Sequence, residues 1–183
     1  MITELTKEGN QNLTLVERLK LKRTGAVLLL DCSGSMSSDC EPGLSKIQAL
    51  RNIVTGLPGD PTIFWFNSLS GVCTKDTIPD PRASTYLAPA LARLKSNGHK
   101  NVVLITDGDI NDKDATLAAM VGMTIKPMYV GAGARPAFLD KLASMSGGFA
   151  TTDDLRQRKA LTEKVTLLLN RGIEPQPRGA YEL

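Results

Sequence analysis

The 183-residue chain contains one histidine, one tryptophan and three cysteines, and aromatic residues make up only 4% of it. Each scarcity narrows the chemistry. The single histidine, His99, precedes a buried strand and so falls at the amino end of the sheet, the wrong edge for a ligand site. Cys32, Cys40 and Cys73 cannot all pair with one another, and no two stand at a zinc-type spacing. No stretch approaches the roughly 18 consecutive apolar residues of a membrane span. Residues 1–12 are polar, carry both charge signs and have no apolar signal-peptide core behind them. Without an export signal the thiols are expected to be reduced, in a cytoplasmic protein. No charge sign dominates either: 22 basic against 19 acidic residues leave +3, too little and too scattered to argue for nucleic acid. There is no G-x-x-x-x-G-K-[ST] run to cradle phosphates, no G-x-S-x-G elbow and no internal repeat. What is present is a globular composition, 42% apolar and 22% charged. A chain of this length buries about 70% of its unfolded surface around a single core.

Short apolar runs alternate with helically spaced ones. Residues 24–30 (TGAVLLL) lead into Asp31 and residues 101–106 (NVVLIT) into Asp107, and both read as strands buried on both faces. Residues 32–43 are loop by composition. Residues 44–57 place apolar side chains at helical spacing until Gly56 and Pro58-Gly59 end the run. Residues 61–66 (PTIFWF) form a second strand and 71–73 a short edge strand. A helix is expected over 86–96, with Pro89 tolerated in its first turn. Asp112 or Asp114 caps a helix to about Val121. There follow a strand over 124–130, a helix over 136–145, a brief strand at 149–151 and a long helix over 153–170. Residues 13–21 read as a short amphipathic helix or an edge element and 172–183 as a flexible tail. The domain is therefore expected over 23–171, with an extension at 1–22. This alternation predicts an α/β fold, a doubly wound, mostly parallel sheet with helices on both faces.

Open sheets of this kind bind ligands beyond the carboxyl ends of the strands, where the winding direction reverses. In the common order 3-2-1-4-5-6, the strands ending in Asp31 and Asp107 are neighbours at that point. Asp31-Cys32-Ser33-Gly34-Ser35 adds two hydroxyls at alternate positions, with Gly34 permitting the tight backbone. Two carboxylates and several hydroxyls form an all-oxygen set, which suits Mg²⁺ or Mn²⁺ better than zinc or copper. Such an ion keeps positions for water or an outside ligand. If hydroxyls bind it directly, it remains electrophilic toward a carboxylate from another molecule, which is a binding chemistry.

These residues resemble a known family. Asp31-Cys32-Ser33-Gly34-Ser35-Met36 is similar to the D-x-S-x-S motif of von Willebrand factor A (vWA) domains, whose metal-ion-dependent adhesion site takes Mg²⁺ or Mn²⁺. Leu104 to Asp109 resembles that family's T-D-G motif, and Ser84-Thr85-Tyr86-Leu87 fits the place of its threonine before a helix, with Ser84 where the family has glycine. The resemblance runs from about Arg23 to Asn170 and implies the Rossmann-like vWA fold, as a stand-alone, intracellular bacterial or phage-type member. It implies Ser33, Ser35 and Thr85 as hydroxyl ligands, with Asp31 and Asp107 holding metal-bound waters or one of them binding directly. The implied partner is a protein presenting Asp or Glu to the metal, with an AAA+ ATPase of the MoxR type among the candidates; the charge and the lack of long apolar runs lead to the expectation of neither nucleic acid nor membrane. The insertion over 39–43 is expected to shape or cover the site.

The remaining polar residues read as structure. Asp109, Asp112 and Asp114 are solvated carboxylates or caps, His99 an exposed turn residue, Cys32 packing beneath the loop, and Trp65 strand core or sheet surface. Arg156, Arg158 and Lys159 form a solvated basic helix face. An aspartyl-phosphate phosphatase using Asp31 would want a second aspartate two residues on, where Ser33 stands instead, so no enzyme is expected. A structural subunit of a virion or large assembly, braced by the metal, is the other function compatible with the same ligands.

Overall fold

The computed structural model describes residues 25–170. The expected extension over 1–22, the element at 13–21 and the tail lie outside that range. Six strands form one sheet: β1 (Val27–Asp31), β4 (Ile63–Phe66), β5 (Ser70–Cys73), β6 (Asn101–Thr106), β7 (Thr124–Tyr129) and β8 (Thr151–Thr152). Their order is β5-β4-β1-β6-β7-β8, which is 3-2-1-4-5-6 when the six are counted along the chain. Every neighbouring pair is parallel except β4–β5, which is antiparallel and makes β5 the edge. The direction of winding reverses between β1 and β6, as the sequence implied.

Alternation along the strands makes two cores from one sheet. Leu28 and Leu30 of β1, with Val103 and Ile105 of β6, point to one face. There they meet α1 (Lys46–Thr55) and α5 (Arg158–Asn170) through Leu50, Ile53, Leu161 and Val165. Val27, Leu29, Val102 and Leu104 point to the other face. They pack against α2 (Ala88–Ser96) through Leu91 and Leu94 and against α4 (Ala137–Met145) through Leu139 and Leu142, with α3 (Lys113–Ala119) beside them. All five residues of β1 are buried, Asp31 included. Among the described residues no helix is long and apolar enough to cross a membrane.

Several expected boundaries shift, each for a local reason. Residues 32–43 are not all loop: a 3₁₀ turn covers Gly34–Ser37, and β2 (Asp39–Glu41) pairs antiparallel with β3 (Leu44–Ser45). The insertion is thus a small two-stranded ribbon. Leu44 belongs to that ribbon because Ser45 caps α1, in a capping box with Gln48. The second helix begins at Ala88 rather than 86, with Pro89 in its first turn as expected. The last helix begins at Arg158 rather than 153. Asp153 is committed to Thr151 and Lys164, and Asp154 to Arg156, so the chain turns at 155–156 before the helix begins. Arg156 therefore lies outside the helical face expected for it. The brief strand falls at 151–152 instead of 149–151. His99 is half-buried, its ring edge-on to Phe64 at 5.6 Å between centroids, and not an exposed turn residue.

Candidate functional site

Parallel pairing of β1 with β6 matches Leu30 with Ile105, so the next residues, Asp31 and Thr106, lie side by side where the two strands end. The Thr106 hydroxyl donates to Asp31 Oδ2 at 2.6 Å, and the Ser33 amide donates to Asp31 Oδ1 at 2.8 Å. Asp31 is thereby held beneath the loop that follows it, with both oxygens engaged. Burial pushes its carboxyl up from the ordinary 3.8 to about 6. Hydrogen bonds from Ser33 and Thr106 pull the other way, and the nearby charge of Asp107 adds to the rise.

Above Asp31 the hydroxyls form a chain. Ser33 Oγ and Ser35 Oγ are 3.1 Å apart, and Ser35 Oγ donates to Asp107 Oδ1 at 2.7 Å. Asp107 Oδ2 accepts from Lys46 Nζ at 2.6 Å. Ser33 and Asp107 are buried while Ser35 is exposed, so this network opens to solvent at Ser35. Asp31, Ser33, Ser35 and Asp107, 76 positions apart at the extremes, are drawn into one hydrogen-bonded group.

The segment that leads to Thr85 is tied to the motif loop by backbone links. The Gly34 amide donates to the Ala83 carbonyl at 3.0 Å and the Arg82 amide to the Cys32 carbonyl at 3.0 Å, which clamps the 82–85 segment against the motif loop. Ala83 takes a left-handed conformation, φ 61°, to make this approach. The buried Thr85 is pinned from its other side by Asn111, whose Oδ1 accepts from the Thr85 amide at 2.8 Å while its own amide donates to the Thr85 carbonyl at 2.9 Å. The next residue, Asp112, was expected to cap α3 unless Asp114 did. It stands at that N-cap position, but its two oxygens accept the amides of Leu87 and Ala88, each at 2.9 Å. One loop, 107–112, therefore supplies Asp107 and also fixes the start of α2 behind Thr85.

Three residues here were given no role by the sequence reading, Thr106, Lys46 and Asn111, and Asp112 was given a different one. Thr106 stands inside the quoted motif, and strand register identifies its role. Lys46 carries no sequence signal, because its partner is 61 positions away. The structural readings of Cys32, Asp109, Asp114 and Trp65 agree with the fold. Cys32 is fully buried, with its thiol pushed up to about 12, chiefly by that burial. Asp109 and Asp114 are exposed, and Trp65 lies half-buried on the sheet across Gly71.

A polar cleft of about 610 Å³ adjoins the group at the ends of β7 and β8, walled by Lys46, Asp153, Asp154, Arg156 and Lys164 among others. None of Asp31, Ser33, Ser35, Thr85 and Asp107 lines it, so Lys46 is the side chain common to cleft and motif. No cluster of three or more His, Cys, Asp or Glu side chains suited to a metal occurs among the described residues. A cation here must rely on hydroxyls as well as carboxylates. The donor set is all oxygen, which fits a hard divalent ion.

No family model and no curated protein matches this sequence. Solved structures do. A von Willebrand factor type A structure from Catenulispora acidiphila is 16% identical with a TM-score of 0.60, over 79% of this chain and 42% of that one. Proximal thread matrix protein 1 from the mussel byssus is 19% identical with a TM-score of 0.56, over 79% of this chain and 46% of its own. Another structure of the mussel protein, described as having a zinc-occupied MIDAS motif (metal-ion-dependent adhesion site), is 19% identical with a TM-score of 0.54. The chain spans less than half the length of these proteins. At such identities the likeness concerns the fold, and the fold is the Rossmann-like α/β architecture of vWA domains.

Proposed function

We propose that this domain binds a protein partner through a divalent cation, Mg²⁺ or Mn²⁺, held by Asp31, Ser33, Ser35, Thr85 and Asp107. The observation that carries the reading is the hydrogen-bonded network from Asp31 through the Ser33 amide and the Ser33 and Ser35 hydroxyls to Asp107 at the switch point, with the segment before Thr85 clamped beside it. Ser33, Ser35 and Thr85 would hold the ion through their hydroxyls, and the two aspartates would balance its charge from behind. The ion would supply an electrophilic position for an Asp or Glu of the partner. The zinc-occupied MIDAS motif printed for the mussel protein supports a metal-binding reading by analogy of fold.

Binding rather than catalysis is the role that these residues favour. Ser33 stands where an aspartyl-phosphate enzyme would need its acid/base carboxylate, and it is buried in a hydrogen bond with Ser35. His99 lies at the amino end of β6, across the sheet from the network. The three free thiols suit a reducing, cytoplasmic setting, and the small net charge gives no footing to nucleic acid or membrane. A MoxR-type AAA+ ATPase is the partner class that the vWA resemblance suggests.

The test is retention of partner protein from native lysate by the tagged full chain, in Mg²⁺ and in EDTA, with Asp31→Ala as control. The proposal expects a partner held by the wild type in Mg²⁺ and lost on chelation or in the variant. A partner held equally in all three conditions would place recognition elsewhere. Metal-dependent folding without a metal-dependent partner would instead favour a bracing role in an assembly.

A further inference from the structure

Lys46 is the first residue of α1, where a cation opposes the positive end of the helix dipole. The helix start does not need it, because the capping box of Ser45 and Gln48 already serves the terminal amides, and no acidic residue stands in the first turn to pair with it. The side chain instead crosses to Asp107, with Nζ 2.6 Å from Oδ2. It is 14% exposed, and the carboxylate side chain is fully buried. Its backbone amide donates to the Ser38 carbonyl at 2.9 Å, which fixes the helix start to the end of the motif loop. The other oxygen of Asp107 holds Ser35. The ammonium is therefore a built-in cation on one of the two carboxylates that the metal would use.

We propose that Lys46 sets the charge of the cation site, so that the site holds its divalent ion loosely and leaves that ion positive enough to draw a carboxylate from outside. This rests on the metal-binding reading above. With Asp31 and Asp107 ionised, the ammonium leaves the site one net negative charge instead of two. A divalent ion then meets repulsion from Lys46 and shares Asp107 with it. Once bound, the ion is incompletely neutralised by the protein. The charge that the protein withholds is what an acidic partner residue supplies. Lys46 is thus a specificity-determining residue acting through Asp107, and it ties the occupancy of the site to the presence of a partner carboxylate.

The test is a Mn²⁺ titration of the full chain, followed by the electron paramagnetic resonance signal of free Mn²⁺, for wild type, Lys46→Gln, Lys46→Arg and Asp31→Ala. Lys46→Gln keeps a hydrogen-bond donor and removes the charge, and it is expected to bind Mn²⁺ roughly tenfold more tightly or better, the scale of one nearby charge in a partly buried site. Lys46→Arg is expected to stay near wild type. The sign decides the matter, because loss of a merely structural support would weaken the site. If Lys46→Gln does not fold without metal, the rise of its unfolding midpoint with Mn²⁺ reports the same affinity by linkage. Unchanged or weaker binding by Lys46→Gln, or failure to fold at any Mn²⁺ concentration, overturns the inference while leaving wild-type metal binding intact. No saturable binding by any of the four proteins overturns the metal reading and this inference together.

Discussion

Burial raises the Asp31 carboxyl to about 6, and the sign of that shift has a measurable consequence. Below about pH 4 the carboxyl is protonated in both folded and unfolded chains. As pH rises through 6, the folded protein must ionise a buried group that the unfolded chain ionises freely, so this residue's stability contribution is lost. The loss is expected to reach up to about 3 kcal/mol by neutral pH. A divalent cation favours the carboxylate and should restore it. The Mg²⁺-induced rise in unfolding midpoint should therefore be larger at pH 7 than at pH 5, and Asp31→Asn should remove that difference. Thermal scans at both values, with Mg²⁺ and with EDTA, check this. The same residue shows what is legible at this scale. Asp31, Ser33 and Ser35 can be read because they alternate within five residues that follow a buried run, and Asp107 because it ends a second such run. Lys46 cannot, since a lysine opening an amphipathic helix looks solvated until the fold brings it to Asp107.

At the scale of elements, two connections do the positioning. The 107–112 loop ends in Asp112, whose carboxylate receives the first two amides of the α2 region. Asp112→Ala is expected to cost about 1–2 kcal/mol, as for loss of a strong helix cap, and to loosen the segment carrying Thr85. Urea denaturation measures the first effect and a weaker Mn²⁺ affinity the second. On the other side, a side chain at Gly131, just past β7, would run into the Asp107 carbonyl and the Tyr129 ring. Gly131→Ala is therefore expected to displace Asp107 and to weaken Mn²⁺ binding by roughly tenfold or more, the scale of one misplaced charge. Gly133→Ala meets no neighbouring atoms but sits at φ 85°, so it serves as a control for a strained turn that leaves Asp107 in place. Element order and type were readable because apolar spacing reports burial directly. The starts of α2 and α5 were not, because carboxylates decide them: Asp112 reaches the start of α2 from another loop, and Asp153 and Asp154 are taken by Lys164 and Arg156 before α5 can begin.

For the whole molecule, the sheet carries two apolar cores and confines the oxygen network to its carboxyl rim. Fold and site are therefore separable. Ser33→Ala removes one buried hydroxyl from the rim and nothing from either apolar core, and its cost in EDTA is expected to be about 1 kcal/mol, the scale of one lost hydrogen bond. Metal binding should nonetheless fall sharply, and circular dichroism together with a Mn²⁺ titration reads both outcomes on one sample. The strand order 3-2-1-4-5-6 could be foreseen from strand–helix alternation, since right-handed crossovers leave few ways to wind such a chain. The clamp that brings Thr85 to the motif loop could not, because it consists of backbone bonds through Gly34, Ala83 and Arg82 that no side-chain pattern encodes.

The most direct test of the account is the anomalous diffraction of Mn²⁺ in crystals of the full chain. The account expects one strong peak among the hydroxyls of Ser33, Ser35 and Thr85, in front of Asp31 and Asp107, absent from Ser33→Ala crystals. A peak in the cleft beside Asp153 and Asp154 instead, or a folded protein with no peak at the rim, would contradict it.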